Sequence, residues 1–272
     1  MRFTAKDIKA QLCALGAPKG GVVMLHSAYS RVGDFEGGPE EFLNALIEYF
    51  TEEGGLFCVP THTWGLLGES TVALDMTEKY TNLGLLPRLA LERADGVRSE
   101  NPTHSTVVFG DRKKALEYIE SEKYTKTPTA PEGCYGRLCT EGGHILLLGV
   151  TETSNTYLHA VDEMLGISSR LESEPMELFV KRTRGEVVKR QIFMFDESGG
   201  DISYKFDKLH DLFMHFGAVK QGEVGNAPAF LCNAEKQKSL IERLYKATNR
   251  DIYSEECVLT PEIYAVLEKK WG

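Results

Sequence analysis

The sequence lacks long apolar runs and paired cysteines. No apolar segment approaches the roughly 18 residues needed to span a bilayer, and residues 1–7 lack the apolar core of a signal peptide. The six cysteines are scattered and form no CxxC pair, which argues against a zinc knuckle or a redox motif and favours free thiols in a reducing compartment. We therefore expect a cytoplasmic protein that neither enters a membrane nor holds a metal.

Positive charge is also scarce. The chain has 31 Lys and Arg residues against 40 Asp and Glu residues, a formal net charge of -9. Binding to nucleic acid needs a basic face, so this balance argues against nucleic acid as the main partner, whereas it is compatible with a cationic small-molecule substrate. The sequence contains no P-loop, no GxGxxG and no GxSxG nucleophile elbow, which leaves a serine hydrolase as a weak alternative.

Apolar runs alternate with amphipathic segments through much of the chain. Residues 21–25 and 56–60 are typical of buried strands, and a helix between them is predicted to begin at Gly37-Gly38-Pro39. Strand–helix–strand order builds parallel sheets. A capping box over residues 4–7 predicts an N-terminal helix, and residues 61–79, which have no clean period, are predicted to form a long loop.

The expected fold class is α/β. We expect a mixed, mainly parallel central sheet sandwiched by helices, with an antiparallel hairpin and extra helices in the C-terminal third. The hairpin is predicted from residues 176–180 and 187–195, which flank a turn at Gly185. The length of 272 residues suits one large α/β domain, and in the absence of a convincing linker we expect a single domain over residues 1–272.

The most informative segment is an apolar run, residues 144–150, followed by a helix start. Asn155 or Thr156 can cap that helix, and on it His159 and Asp162 lie three residues apart, on one face. Ligands in open α/β sheets bind beyond the carboxyl ends of the strands, and a histidine oriented by a carboxylate is a general base near neutral pH. The alternative is a half-buried pair that supports the helix.

Polar residues also lie near the ends of the other predicted strands. Residues 26–31 follow the first strand and can bind phosphate through hydroxyls, backbone N–H groups and a guanidinium. His62 follows the second strand, and Arg98 and His104 precede the third. Each has a structural alternative as a polar turn, a packed histidine or a strand residue, and Asp75 can be a turn residue.

Five short motifs in a consistent order, over about residues 3–165, resemble the aminoglycoside 3-N-acetyltransferase family. They are Leu25-His26-Ser27 with Gly37-Gly38, Val59-Pro60-Thr61-His62, Leu74-Asp75 with Asn82-Leu83-Gly84, Arg98 to Ser105, and Leu146 to Val150 with Asn155 to Asp162. Three positions depart from the family pattern: Asn101 stands where His is usual, Asp162 where Glu is usual, and Arg88 where Glu is common. The last two bear on the acceptor more than on the acetyl donor.

The resemblance implies acetyl-CoA as donor co-substrate and a cationic amine as acceptor, with the oligomeric state left open. We expect the coenzyme side to comprise His26, Ser27, Ala28, Tyr29, Ser30, Arg31, Arg98, His104 and Ser105. We expect the acceptor to be bound by Asp75, His62 and Asn155. Glu69 and Glu163 are further carboxylates that can hold acceptor ammonium groups, but of the three carboxylates only Asp75 lies in a motif of the family.

The expected activity is acetyl-CoA-dependent transfer of an acetyl group to an amine of an aminoglycoside or related amino sugar, an antibiotic-resistance reaction. An amine needs a free lone pair to attack a thioester, so we expect His159, oriented by Asp162, to take a proton as general base. Direct transfer is expected, with the helix N-terminus at Asn155-Thr156 stabilising the oxyanion. The alternatives are an acyltransferase for a non-antibiotic metabolite amine and a non-catalytic relative that binds CoA.

Overall fold

The computed structural model describes residues 2–68, 72–167 and 170–269. In chain order its strands are β1 (Arg2–Phe3), β2 (Val22–Ser27), β3 (Asp34–Phe35), β4 (Leu56–Pro60), β5 (Val72–Asp75), β6 (Val97–Arg98), β7 (Thr106–Phe109), β8 (His144–Leu148), β9 (Met176–Lys181), β10 (Val187–Ile192), β11 (Val219–Val224) and β12 (Ala227–Asn233). Its α-helices are α1 (Ala5–Leu15), α2 (Gly38–Thr51), α3 (Leu85–Glu92), α4 (Arg112–Ile119), α5 (Cys134–Thr140), α6 (Tyr157–Met164), α7 (His210–His215), α8 (Ala234–Thr248) and α9 (Pro261–Glu268).

The central sheet has seven strands within the described residues, in the order β11-β12-β8-β2-β4-β7-β6. The expected mixed α/β class is confirmed, but "mainly parallel" holds only for the middle of the sheet. Strand β2 pairs in parallel with β8 and β4, whereas the four outer pairings are antiparallel. Two of these pairings, β6–β7 and β11–β12, join strands that are consecutive in the chain, and a short connection joins only antiparallel strands.

Alternate residues of the central strands face two different helical layers. Val23 and Leu25 of β2 pack into a core with α1, α2 and α3, whereas Val22 and Met24 pack into a core with α5, α6, α7 and α8. This alternation follows from the period of two in a strand. Because His26 continues the row of Val22 and Met24, it is directed toward the layer that contains α6.

A second, three-stranded sheet has the order β10-β9-β5. Strands β9 and β10 are the expected antiparallel hairpin. The predicted loop over residues 61–79 is wrong at Val72–Asp75, which form β5 and pair in parallel with β9. Ala73 is buried with Leu178 and Ile192 in a small core of their own. Both partners of Ala73 lie more than a hundred residues further along the chain. No local alternation of apolar and polar residues therefore indicates this strand.

Capping residues set the helix boundaries at both ends of the chain. Thr4 and Asp7 form the predicted capping box of α1, in which each side chain accepts from the other residue's backbone N–H. Asn233 caps α8 by accepting from the Lys236 N–H. By contrast, the side chains of Asn155 and Thr156 make no capping bond to α6. In the part of the chain that is described, no helix is both long and apolar enough to cross a membrane.

Candidate active site

A cavity of about 660 Å³ opens at the carboxyl ends of β2 and β4. Its floor includes His26, His62 and His104, and one wall is the segment from β8 into α6, including His159. Residues 194–204, in the C-terminal third of the chain, supply a further part of the lining. The structure thus brings four of the predicted site histidines to one place.

The pairing of β4 with β7 explains why two of these histidines meet. The ladder continues past the strand ends, because the backbone N–H groups of Thr61 and Thr63 still donate to the neighbouring strand. His62 and His104 are therefore cross-strand neighbours, with ring centroids 4.3 Å apart. His62 Nε2 also lies 2.6 Å from the hydroxyl of Tyr135, which fixes its ring in the floor of the cavity.

All four imidazoles are held in their neutral form by burial. Burial lowers the pKa of His26 and of His159 to about 4 and that of His104 to about 3. Burial, with the neighbouring histidines, also takes the pKa of His62 well below its usual range. An unprotonated imidazole at neutral pH has a free lone pair, which a proton acceptor requires. Within the described residues no group of three or more His, Cys, Asp or Glu is arranged to hold a metal ion.

His159 is packed between aromatic rings. It stacks on Phe195 with centroids 4.2 Å apart and an interplanar angle of 16°, and it meets Phe206 edge-on at 4.9 Å. Its side chain is 8% exposed, and that exposed part faces the cavity.

The structure does not form the predicted imidazole–carboxylate pair. In the described residues no hydrogen bond joins His159 to Asp162; the Asp162 carboxylate instead accepts from Arg170 Nε at 3.1 Å and from the Tyr245 hydroxyl at 3.5 Å. The physical reason is that the guanidinium is a stronger and charged donor, and Asp162 is buried with it away from the cavity.

The predicted coenzyme side divides into two groups. His26 and Ser27 line the cavity, whereas Ala28, Tyr29, Ser30 and Arg31 form a turn beside it, with Tyr29 to Arg31 in a short 3-10 helix. Among the turn residues, Tyr29 packs its ring on Phe42 and the Arg31 side chain is exposed.

Arg98 and Ser105 do not reach the cavity lining. The guanidinium of Arg98 donates to the Ser105 hydroxyl and to the carbonyls of Thr61, Glu78 and Tyr80. Ser105 in turn donates to the Thr61 carbonyl at 2.8 Å. The hydrogen-bonding groups of both side chains therefore bind the loops around the site, because loop carbonyls are the nearest acceptors.

The predicted acceptor carboxylates are occupied by other partners. Asp75 binds Lys181 Nζ at 2.7 Å, and Glu163 accepts from two threonine hydroxyls. Asn155 is fully buried and donates to Glu152 at 2.8 Å and to Gln237 at 3.3 Å. Glu69 lies outside the described residues. Of the acceptor set, the residue that the structure places in the cavity lining is His62.

Sequence reasoning missed Glu197, Asp201 and Tyr204 at the mouth of the cavity. Glu197 and Asp201 are exposed carboxylates in the lining, and Tyr204 is an aromatic residue there with 78% exposure. The available signal was the acidic, glycine-rich stretch that follows the predicted hairpin. Trp64, which the sequence places in the loop after the second strand, also lines the cavity with 48% exposure. Carboxylates and aromatic faces both attract cations, so this rim suits a positively charged ligand.

Comparison with known proteins agrees with this geometry. The sequence model of the aminoglycoside 3-N-acetyltransferase family matches residues 24–246. The chain belongs to this family. Aminoglycoside N(3)-acetyltransferase III of Serratia marcescens is 27% identical over 258 residues, which are 85% of this chain and 93% of that protein.

Two solved structures of similar acetyltransferases share the fold. AAC-IIIb in a binary complex with CoASH has a TM-score of 0.74 and 23% identity, covering 90% of this chain and 97% of that one. A mutant of AAC(3)-IVa in complex with a gentamicin has a TM-score of 0.76 and 22% identity, covering 97% and 94%. The expected family is thereby confirmed, and with it the acyltransferase class that the family's description names.

Proposed function

We propose that this acetyltransferase moves the acetyl group of acetyl-CoA directly to an amine of an aminoglycoside or related amino sugar, with His159 as general base. The observation that carries the proposal is the cavity itself. It holds an unprotonated, cavity-facing imidazole on α6 together with an anionic and aromatic rim. The gentamicin complex of the related AAC(3)-IVa mutant supports the choice of acceptor.

The chemistry needs one proton acceptor. His159 takes a proton from the acceptor amine, and the nitrogen lone pair attacks the thioester carbonyl carbon. The tetrahedral intermediate then collapses, the carbon–sulfur bond breaks, and CoA leaves as a thiolate that takes up a proton. General-base help of this kind contributes about 10²–10⁴ in rate.

Direct transfer fits the positions of the cysteines. Cys58, Cys134 and Cys232 are buried, and burial raises the pKa of each thiol above its usual range. A thiol must ionise to act as a nucleophile. Within the described residues the cavity lining contains no cysteine, so an acetyl-enzyme intermediate on sulfur has no support.

Glu197 and Asp201 provide the acceptor side of the proposal. They stand at the mouth of the cavity, on the same segment as Phe195, which touches His159. An amino sugar carrying ammonium groups can place them against these carboxylates while one amine reaches the imidazole. Trp64 and Tyr204 offer faces for the sugar rings.

The test is release of CoA thiol from acetyl-CoA against a panel of aminoglycosides and simpler amines. The His159→Ala variant should lose turnover by about 10²–10⁴, while calorimetry should find CoA affinity unchanged. His215→Ala is the matched control, because that imidazole is exposed and pairs with Glu268 away from the cavity. Wild-type turnover in His159→Ala would refute the base assignment.

The acceptor panel separates the alternatives. Release with simple amines but with no aminoglycoside would point to a metabolite amine as substrate. Binding of CoA without release by any acceptor would identify a non-catalytic CoA-binding protein.

A further inference from the structure

An aromatic ring contacts His159 where a carboxylate was expected. The ring of Phe195 lies nearly parallel to the imidazole, 4.2 Å between centroids, and Phe206 closes another side edge-on. Phe195 also contacts His104, whose ring stands at 81° to it at 5.5 Å. One phenyl ring thus touches two histidines of the cavity.

A short ladder holds Phe195 in this place. Leu171 and Phe195 form an antiparallel bridge. On one side of it the Glu172 N–H donates to the Met194 carbonyl at 2.9 Å, and on the other the Asp196 N–H donates to the Arg170 carbonyl at 3.0 Å. The backbone next to Phe195 is therefore bonded on both sides, which fixes the position from which its ring reaches His159.

Arg170 connects this ladder to the helix that carries His159. Its carbonyl accepts from the backbone beside Phe195, and its guanidinium binds Asp162 on α6. A second carboxylate, Asp251, binds the same guanidinium. The ring and the imidazole are thus attached to one another through Arg170 as well as by direct contact.

We propose that Phe195 is the positioning residue of His159, and that the Asp162–Arg170 ion pair acts on the base by anchoring the segment that carries Phe195. The inference rests on the proposed role of His159. The χ2 torsion of histidine is broad, so a flat ring stacked on the imidazole narrows its orientation. The same ring keeps water from one face of the imidazole and so disfavours its protonation.

The charged and titratable groups around His159 act in both directions. Asp201 favours the protonated imidazole, whereas Arg170 disfavours it. His62 and His104, unprotonated themselves, share the cavity. Burial is the largest of these influences, and Phe195 supplies part of that burial.

The experiment combines kinetics with NMR titration of His159 in the free enzyme. Phe195→Leu keeps apolar volume but removes the flat face; it should lower kcat by about tenfold or more with CoA affinity unchanged. Phe195→Ala admits water and should raise the His159 pKa by about one unit or more. Phe195→Tyr keeps the face and should retain kcat to within about threefold.

Phe230→Leu is the matched control. Phe230 packs edge-on against His210, at 4.8 Å, away from the cavity, so its loss should change neither kcat nor the His159 pKa. An unchanged His159 pKa in Phe195→Ala, or wild-type kcat in folded Phe195→Leu, would overturn the positioning role. The NMR titration does not depend on turnover, so it tests the contact even if His159→Ala refutes the base assignment.

Discussion

Arg170, and not His159, holds the carboxylate of Asp162, with 3.1 Å between Nε and Oδ2. The carboxylate and the guanidinium meet outside the cavity lining, where Asp162 is 1% exposed. A buried ion pair of this kind is costly to break, because the group left behind has no partner. The pair therefore fixes the place of α6 and of the segment that starts at Arg170.

Asp162→Asn should reduce kcat by less than about tenfold, because the amide oxygen still accepts from Arg170. A carboxylate that fixes an imidazole tautomer by a direct bond would cost about 10⁴ on the same change. Asp162→Ala should lower the free energy of unfolding by about 3–5 kcal/mol, since it leaves Arg170 half paired. Steady-state kinetics and urea unfolding of both variants measure this, and a loss of about 10⁴ in Asp162→Asn would contradict the arrangement.

The buried histidines should make the protein acid-labile. The pKa values of His26, His104 and His159 lie at about 4, 3 and 4 in the native state and at about 6.5 in an unfolded chain. As the pH falls from 6.5 toward 4, the unfolded chain takes up protons that the native state refuses. The free energy of unfolding should therefore fall by up to about 1.4 kcal/mol per pH unit for each histidine.

Urea unfolding at pH 7.5, 6 and 5 checks this slope. His26→Leu is the informative variant, because it removes one titrating group whose Nε2 has no hydrogen-bond partner in the described structure. The free energy of unfolding of this variant should depend less steeply on pH than that of the wild type, and the difference should correspond to about one bound proton. Identical slopes for the variant and the wild type would show that His26 takes up its proton over the same pH range in the native state as in the unfolded chain.

Arg98→Met should destabilise the protein without weakening CoA binding. It removes hydrogen bonds to three loop carbonyls and to Ser105, which should cost about 2–3 kcal/mol. Arg31→Met is the comparison, because that side chain is exposed and its loss should change stability by less than about 0.5 kcal/mol. Thermal unfolding measures the stability of both variants, and calorimetry measures their affinity for CoA. A weaker CoA affinity in a folded Arg98→Met variant would show that Arg98 contributes to coenzyme binding.

Glu197→Gln and Asp201→Asn should raise the KM for the acceptor while leaving the KM for acetyl-CoA unchanged. Each change removes one exposed charge at the cavity mouth, for which an increase of about threefold to tenfold is expected. The acceptor KM of the wild type should also rise with salt. Asp196→Asn is the control, because Asp196 bonds to its own turn and is absent from the lining. Equal effects in all three would indicate general charge loss.

The strand ends could be predicted from sequence because the apolar runs of β2, β4 and β8 are continuous and bounded. They correctly located His26 and His62, and helical spacing located His159 on α6. The predicted capping box at Thr4 was also confirmed. These features depend on local spacing, which a sequence displays directly.

The remaining parts of the site depend on contacts between distant segments. Asp162 pairs with Arg170, which lies beyond the end of α6. The ring that packs on His159 belongs to Phe195, 36 positions later in the chain. The residue spacing around Asp162 and His159 does not indicate either contact. Likewise Arg98 has the right chemistry for phosphate, but the loop carbonyls around it are acceptors that only the folded chain supplies.

The segment 194–204 joins two properties that an engineer would want to separate. It carries the rim that we propose binds the acceptor, and it carries the ring that lies on His159. Exchanging this one contiguous segment should change the preference for the acceptor while the central sheet and its histidines stay unchanged. We expect such a chimaera to keep its catalytic rate only where the inserted segment again places a planar side chain at position 195.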